Sequence, residues 1–362
     1  MLMAPHPDDE ALACSVILQQ AVAAGAAIGV VYATDGEDNP WPQRLLERKW
    51  HLNASDRERW GKLRRAEALA ALRVLGVEPT DIHFLGLPDQ KLTRLLASDC
   101  QSIITICARI ITEWRPTELL VPSVYDTHPD HSALAVVLRL ALCSLIGWDD
   151  FFSAWSYVVH GDSRAFFDRA QNIPQSPTET ATKLAAIRCH KTQLHLSRRR
   201  FLAYSTRPER VLQVGPAEAT ARDGAIRGVA RQPASLRISV KVSPQPMRPA
   251  RSAFLLLGRD EDGALRCITW RLTPQSACVE VRDFVSQRPI AIGRYHGNAS
   301  EGEFVIPTGI FSSDHPLFLK LERRLRLRFF DEAGWSEIPP VLAVQCAEQG
   351  NRLAEKLFVS SR

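Results

Sequence analysis

Residues 2–36 read LMAPHPDDEALACSVILQQAVAAGAAIGVVYATDG. Residues 2–5 have the length and apolar character of a very short strand. Residues 9–25 follow a helical pattern that Gly25 closes, as glycine commonly does where a helix ends in a left-handed turn. Residues 27–34 (AIGVVYAT) are a continuous apolar run of strand length. Strand, helix and strand, with no polar face on the second strand, is the pattern of parallel strands covered on both sides.

The same rhythm continues outward. Residues 63–75 are helical and again end at a glycine, Gly76; residues 82–87 form a strand and 92–114 a long helix. Residues 118–122 (ELLVP) are a further strand, 132–146 a helix, and 151–160 contain one more strand. The fold class is therefore α/β: a Rossmann-like, mostly parallel sheet with helices on both faces. Residues 37–59 interrupt it with many charges, Trp41 and Trp50, and Trp60 just beyond. A long insertion after a strand's carboxyl end reads as a substrate lid or as an ordinary surface excursion.

After residue 214 the character changes. Residues 215–234, rich in Ala, Arg, Gly and Pro, read as a linker. Short alternating runs follow at 236–242, 253–257, 265–272, 278–281, 303–306 and 325–330, broken by Pro, Gly and Asp clusters. They predict a C-terminal, mainly antiparallel β domain over 235–345, of sandwich type, with 346–362 as a tail. The first domain is then 1–214, and two domains suit a chain of 362 residues.

Composition narrows the partners. The net charge of +5 is spread along the chain, and nothing interleaves basic with aromatic residues as a nucleic-acid binder does, so no nucleic acid is expected. The run Arg198-Arg199-Arg200, near Arg188, Lys191, Arg207 and Arg210, reads as an attractor of phosphate or acidic substrate, or as a solvated face. Eight cysteines without a CxxC pair predict buried free thiols in a reducing compartment. No signal peptide is visible, and the apolar run 133–148 is broken by Arg139 and too short to span a bilayer, so the expectation is cytoplasmic.

Two clusters carry chemistry. His6-Pro7-Asp8-Asp9-Glu10 stands where the first strand ends and the first helix begins. His128-Pro129-Asp130-His131 follows the strand 118–122, with Asp126 just upstream. Open α/β sheets bind ligands at the carboxyl ends of their strands, so both clusters stand where a site is expected. Imidazole and carboxylate suit zinc, and three protein ligands plus water would leave the open position a catalytic metal needs.

With these motifs, about residues 1–210 resemble the PIG-L/LmbE-like de-N-acetylases, whose hallmark is AHPDDE with a later HPDH; here the first reads APHPDDE. Supporting matches are Thr34-Asp35-Gly36-Glu37, Arg64 with Glu67, Leu75-Gly76, FLGLPD at 84–89, YVVHG at 157–161, and features from Lys183 to Gln193. The resemblance implies that His6, Asp9 and His131 bind Zn2+ and that Asp8 is the general base toward zinc-bound water. It implies that His128 stabilises the oxyanion or protonates the leaving amine, and that Asp130 orients a histidine. Arg64 would hold substrate hydroxyls or phosphate, or else pair with Glu67 on a helix surface. Asp89 would contact sugar hydroxyls. Glu10 reads as a first-turn residue favoured by the helix dipole, Cys14 as core, and His160 as pocket-lining or structural. His190 and Gln193 match too loosely for a catalytic role.

The implied activity is a metal-dependent hydrolase that removes the N-acetyl group from an N-acetylated, GlcNAc-type sugar conjugate. Alternatives are hydrolysis of another amide or an ester, or a saccharide-binding protein with little catalysis. Fe(II) suits the same ligand set. Membrane-surface contact is expected if the conjugate is lipid-linked, and no pattern sets an oligomeric state. Two departures stand out. MLMAP supplies fewer residues than the family's first strand, so the true start is expected upstream, and the β-rich domain lies outside the minimal family fold.

Overall fold

In the computed structural model, residues 1–145, 147, 149, 151–215, 224–241, 252–323 and 330–341 are described. They fall into two units, Met1–Leu96 with Ser102–Val214, and Ala97–Gln101 with Gly215–Arg362. The tail 346–362, Cys346 and residues 325–329 of the last expected strand lie outside the described residues.

The first unit is a seven-stranded sheet of β1 (Leu2–Ala4), β2 (Val30–Thr34), β3 (Ile82–Leu87), β4 (Glu118–Pro122), β5 (Ser153–Tyr157), β6 (Gln171–Asn172) and β7 (Arg210–Gln213), in the order β3-β2-β1-β4-β5-β7-β6. Strands β1 to β5 are parallel, and β7 runs antiparallel to β5 and β6. Between them run α1 (Asp9–Leu12), α2 (Ser15–Ala23), α3 (Pro40–Glu47), α4 (Ala54–Val74), α5 (Leu92–Ser98), α6 (Gln101–Trp114), α7 (Pro129–Cys143), α8 (Arg164–Phe167), α9 (Pro177–Cys189) and α10 (Lys191–Leu202). This is the expected α/β class. Strand β1 has three residues yet sits centrally, its Leu2, Met3 and Ala4 facing Val30, Val31 and Tyr32 of β2 while Leu2 also pairs with Leu120 of β4. The chain leaves β1 for β2 on one side and reaches β4 on the other. That switch in direction opens a crevice at the carboxyl ends of β1 and β4, where such sheets bind ligands.

Several boundaries differ from expectation, each for a local reason. The helix expected over 9–25 is two, α1 and α2, because Glu209 from the far end of the unit accepts the N–H groups of Val16 and Ile17 at 2.9 and 3.2 Å and so caps a new start. The charged segment 37–59 is not an open excursion, since it contains α3 and the first turns of α4. Helix α4 begins nine residues before the expected 63, where Asn53 and Asp56 form a reciprocal capping box. Helix α7 begins at Pro129 rather than at residue 132. Pro129 fits the first helical position, and the His128 side chain accepts the Asp130 N–H.

In the second unit the described strands are β8 (Ile226–Gln232), β9 (Ser235–Lys241), β10 (Ser252–Arg259), β11 (Leu265–Arg271), β12 (Gln275–Asp283), β13 (Pro289–Asn298), β14 (Glu301–Pro307), β15 (Leu317–Arg323) and β16 (Ser336–Ile338). They form one antiparallel sheet, β16-β15-β10-β11-β12-β13-β14-β9-β8, not two packed sheets. The sheet curls until its ends meet. The Arg231 guanidinium on β8 donates to the carbonyls of Ser312, His315 and Pro339, which flank β15 and β16. Strand β8 lies in the stretch that read as linker; its Gly and Arg content masked a strand that pairs fully with β9. The curled sheet encloses aromatic rings, with Phe254 stacked on Trp270 at 5.3 Å and edge-on to Phe304 at 5.1 Å.

Seven described cysteines are free thiols; Cys14, Cys100, Cys107 and Cys267 are buried as expected, whereas Cys278 is exposed and Cys143 and Cys189 are half-buried. Among the described residues no single helix is long and apolar enough to cross a membrane.

Candidate metal centre

The turn after β1 is pinned before any side chain reaches the site. Thr34 at the end of β2 donates both its N–H and its hydroxyl to the Pro5 carbonyl at 3.0 Å. The His6 N–H donates to Asp9 Oδ2 at 2.8 Å. From the other edge of the crevice, Asp126 accepts the His128 N–H at 2.8 Å and those of Val159 and His160 at 2.8 and 3.1 Å, fixing the loop before α7.

Three side chains then converge. His6 Nδ1 lies 3.1 Å from His131 Nε2, His131 Nε2 lies 3.4 Å from Asp9 Oδ1, and His6 Nδ1 lies 3.9 Å from Asp9 Oδ2. Ligands about 2.1 Å from a tetrahedral metal stand about 3.4 Å apart, and the His6–His131 and His131–Asp9 separations lie close to such an edge, the 3.9 Å separation being to the other Asp9 oxygen. The opposite nitrogens are already committed. His131 Nδ1 faces Asp126 Oδ2 at 3.1 Å, and His6 Nε2 faces Asp89 Oδ1 at 3.2 Å and Asp130 Oδ2 at 3.4 Å. Each imidazole thus directs its hydrogen outward to a carboxylate and its lone pair inward. Two lone pairs and a carboxylate oxygen with no hydrogen between them call for a cation, so the residues present fit a metal.

His128 also brings a ring nitrogen within 4.8 Å of His6 and His131 nitrogens, making a second possible triad. Its tautomer argues against ligation. His128 Nδ1 accepts the backbone N–H of Asp130 at 3.2 Å, so in the neutral ring the hydrogen sits on Nε2, which is then a donor. His6, Asp89 and Asp130 form a further oxygen-rich group. There both carboxylates serve other partners: Asp130 accepts the N–H groups of Gln90 and Leu92, and Asp89 that of Asp38. His6 Nδ1, His131 Nε2 and Asp9 Oδ1 stand beside both groups, with His131 Nε2 within 3.4 Å of each of the other two.

Electrostatics agree. Burial pushes the Asp9 carboxyl up to about 6, against the charge of His131 and with a further push from Asp8. Burial works against protonation of His131 too, but Asp9 and Asp126 outweigh it and hold the imidazole above its ordinary range. Asp126, for which burial acts in the opposite sense, is held down to about 2 by His131. Burial drives His160 down to about 3, so it is a neutral ring beside the cluster. The surroundings favour positive charge where the three donors meet.

Asp8 points elsewhere than its neighbour. Its carboxylate accepts from Arg64 Nη2 at 2.9 Å, while the same nitrogen donates to the Pro7 carbonyl at 2.7 Å and Nη1 donates to the Gly36 carbonyl at 2.8 Å. Arg64, expected at substrate hydroxyls or on a helix surface, is 4% exposed with its guanidinium engaged by this turn. Gly36 makes that possible: φ is +62°, and a Cβ there would fall on Arg64 Nη1. Glu67, the other half of the expected surface pair, instead accepts from the Thr192 N–H and hydroxyl. Asp89 is buried, bridging His6 and the Asp38 N–H.

Sequence reasoning passed over some members. Asp126, two residues before HPDH, is the carboxylate on His131, while Asp130 reaches His6 from the other motif. Lys183, 0% exposed, pairs with Glu209 at 2.8 Å and so supports the start of α2. Glu10 and His190 are paired at 2.7 Å. Only the spacing of Asp126 to the motif was visible beforehand; the other pairs join remote positions.

A Rossmann-like sheet with a buried cluster of His and Asp side chains that could hold a metal at its switch point defines the class of this first unit. The profile of the PIG-L family, described as GlcNAc-PI de-N-acetylase, matches residues 1–142, and this region is a PIG-L family domain. A 1D-myo-inositol 2-acetamido-2-deoxy-alpha-D-glucopyranoside deacetylase of Mycolicibacterium paratuberculosis is 33% identical over 139 residues, 35% of this chain and 45% of that protein. A protein of the same description from Thermomonospora curvata is 29% identical over 240 residues, 52% of this chain and 78% of that one. The chain thus spans about half the length of the first of these relatives, 45%. Among solved structures, the conserved protein TT1542 from Thermus thermophilus is similar with a TM-score of 0.44 and 21% identity, covering 60% of this chain and 94% of that one.

Proposed function

We propose that this chain is a metal-dependent amidohydrolase that removes the acetyl group from an N-acetylated, GlcNAc-type sugar conjugate. One observation carries the reading. Two adjacent carboxylates diverge, Asp9 into the donor triangle and Asp8 onto Arg64 outside it. Hydrolysis needs that division: one carboxylate to hold a cation, and a second beside it left unligated to take a proton. His6, Asp9 and His131 would hold a zinc ion, which would supply Lewis acidity toward a carbonyl and lower the pKa of water; Fe(II) would suit the same set.

The remaining work falls to side chains. Asp8, oriented by Arg64, accepts the proton of the attacking water. His128, with its hydrogen on Nε2, donates a hydrogen bond to the oxyanion, and the proton that Asp8 took from water passes on to the departing amine. Asp126 and Asp130 hold His131 and His6 in their tautomers. Asp89 extends that hold to the segment around Asp38, the way by which a sugar hydroxyl would reach the site. A lipid-linked conjugate at a membrane surface is a finer form of the same reading. Exposed Trp41 (55%) and Trp50 (70%), with Leu45 and Arg48, offer the mixed aromatic and basic surface that an anionic interface attracts. Cytoplasmic location belongs to the proposal and is supported by cysteines without paired spacing.

The test is acetate release by metal-loaded protein from free, nucleotide-linked, inositol-linked and lipid-linked N-acetylglucosamine, with chelated protein and Asp8→Asn as controls. Acetate from one conjugate, lost in both controls, is expected. Stoichiometric metal with no acetate from any conjugate would overturn the reading in favour of another acyl bond or a binding role.

A further inference from the structure

Asp8 has φ 142° and ψ −19°, a region that residues with a Cβ rarely occupy and that costs about 1–3 kcal/mol. Something must hold it there. Its carbonyl is taken by the Ala11 and Leu12 N–H groups of α1, and its carboxylate by Arg64. The remaining handle, its own N–H, donates to Glu10 Oε2 at 3.0 Å. Glu10 is a first-turn residue that would ordinarily face water, yet it is 0% exposed, and its other oxygen meets His190 Nε2 at 2.7 Å.

We infer that Glu10 and His190 are positioning residues: together they hold the Asp8 backbone in its strained conformation and so aim the Asp8 carboxylate away from Asp9. A carboxylate buried this deeply stays in place only with a partner. His190 comes from 180 residues along, at the non-helical junction of α9 and α10. It is itself fixed there, its N–H donating to the Ile187 carbonyl and its carbonyl accepting from Gln193 and Leu194. Without either member the Asp8 peptide is free to turn to negative φ, which swings the carboxylate. Asp9 is held independently, through the His6 N–H on Oδ2. Loss of the pair therefore moves the base and leaves the donor triangle standing.

The inference rests on Asp8 being the base, and two readouts separate the claims. Kinetics on full-length, metal-loaded Glu10→Ala and His190→Ala are expected to show kcat down about 10²-fold, with KM and metal stoichiometry unchanged. Glu10→Gln should recover most of the loss, since its amide oxygen still accepts the Asp8 N–H and its nitrogen can donate to His190. In crystals, Asp8 is expected at negative φ in Glu10→Ala and at positive φ in Glu10→Gln. Asp8 remaining near φ 142° in Glu10→Ala, or metal lost in step with kcat, overturns the pairing. If Glu10→Ala does not fold, His190→Ala against Glu10→Gln makes the same comparison. Wild-type protein that releases no acetate would sink the deacetylase reading, while the crystallographic comparison would still decide the pair.

Discussion

Both units bury aromatic rings, Trp60, Tyr32, Tyr157 and Phe166 among them in the first, but they differ in how much charge they bury. In the first, His6, Asp8, Asp9, Glu10, Arg64, Glu67, Asp89, Asp126, His128, Asp130, His131, Lys183, His190 and Glu209 are all below 8% exposure. In the second, the fully buried large side chains are chiefly Phe254, Trp270, Tyr295, Phe304, Phe318 and Trp335, and buried Lys320 is neutralised by Asp331 at 2.5 Å. Burying charge is unfavourable unless every group is paired, whereas burying aromatic surface stabilises outright. A fold therefore concentrates buried charge where chemistry needs it. By that measure the proposed reaction belongs to the first unit, and the second is built for stability.

The sharpest attempt to break that contrast sets Asp8→Asn against Trp270→Ala. Asp8→Asn is expected to lower kcat by roughly 10²–10⁴-fold with metal content kept and the first unit still folded, its amide oxygen still accepting from Arg64. Trp270→Ala should leave bound metal unchanged and cost about 3–5 kcal/mol of stability, read by calorimetry. A melting transition lost in Asp8→Asn, or metal lost in Trp270→Ala, would erase the distinction.

A second pair of measurements tests whether buried charge in the first unit is structural where it is remote from the donors. Lys183→Met strands Glu209 beneath α2 and should destabilise the first unit by about 3–5 kcal/mol, with the second unit's denaturation unchanged. Replacing both members of the pair with apolar residues of similar size should restore most of that loss.

Smaller effects sharpen the picture. Gly36→Ala must displace Arg64 and adopt a positive φ, so a stability loss of about 1–3 kcal/mol is expected, with kcat falling more than KM rises. Full activity in Gly36→Ala would show that Arg64 does not hold the base. Arg237→Ala, which breaks the exposed pair with Glu303 on the second unit's sheet, should change stability by less than about 1 kcal/mol in urea unfolding.

Much of the site was legible because its motifs are contiguous. HPDDE and HPDH each stand at a strand-to-helix turn, and a parallel sheet brings such turns to one edge, so their convergence follows from the α/β rhythm alone. Boundaries were less legible where a local signal competed with composition. The capping box at Asn53 and Asp56 lies inside a charged segment that hid the start of α4, and the Gly and Arg content of β8 hid a strand that only its partner β9 reveals. The second unit's alternation predicted antiparallel strands but not their pairing into one sheet, whose ends Arg231 links through three carbonyls far along the chain.

The sequence alone determined an α/β domain carrying two contiguous His/Asp motifs, followed by a β-rich domain, because periodicity and contiguous motifs are local properties. Which donors face one another, which tautomer His128 takes, where Arg64 spends its guanidinium and how Glu10 meets His190 were decided by tertiary structure. Those features depend on the direction of a side chain and on partners brought together only by packing, and neither is written in the spacing of residues.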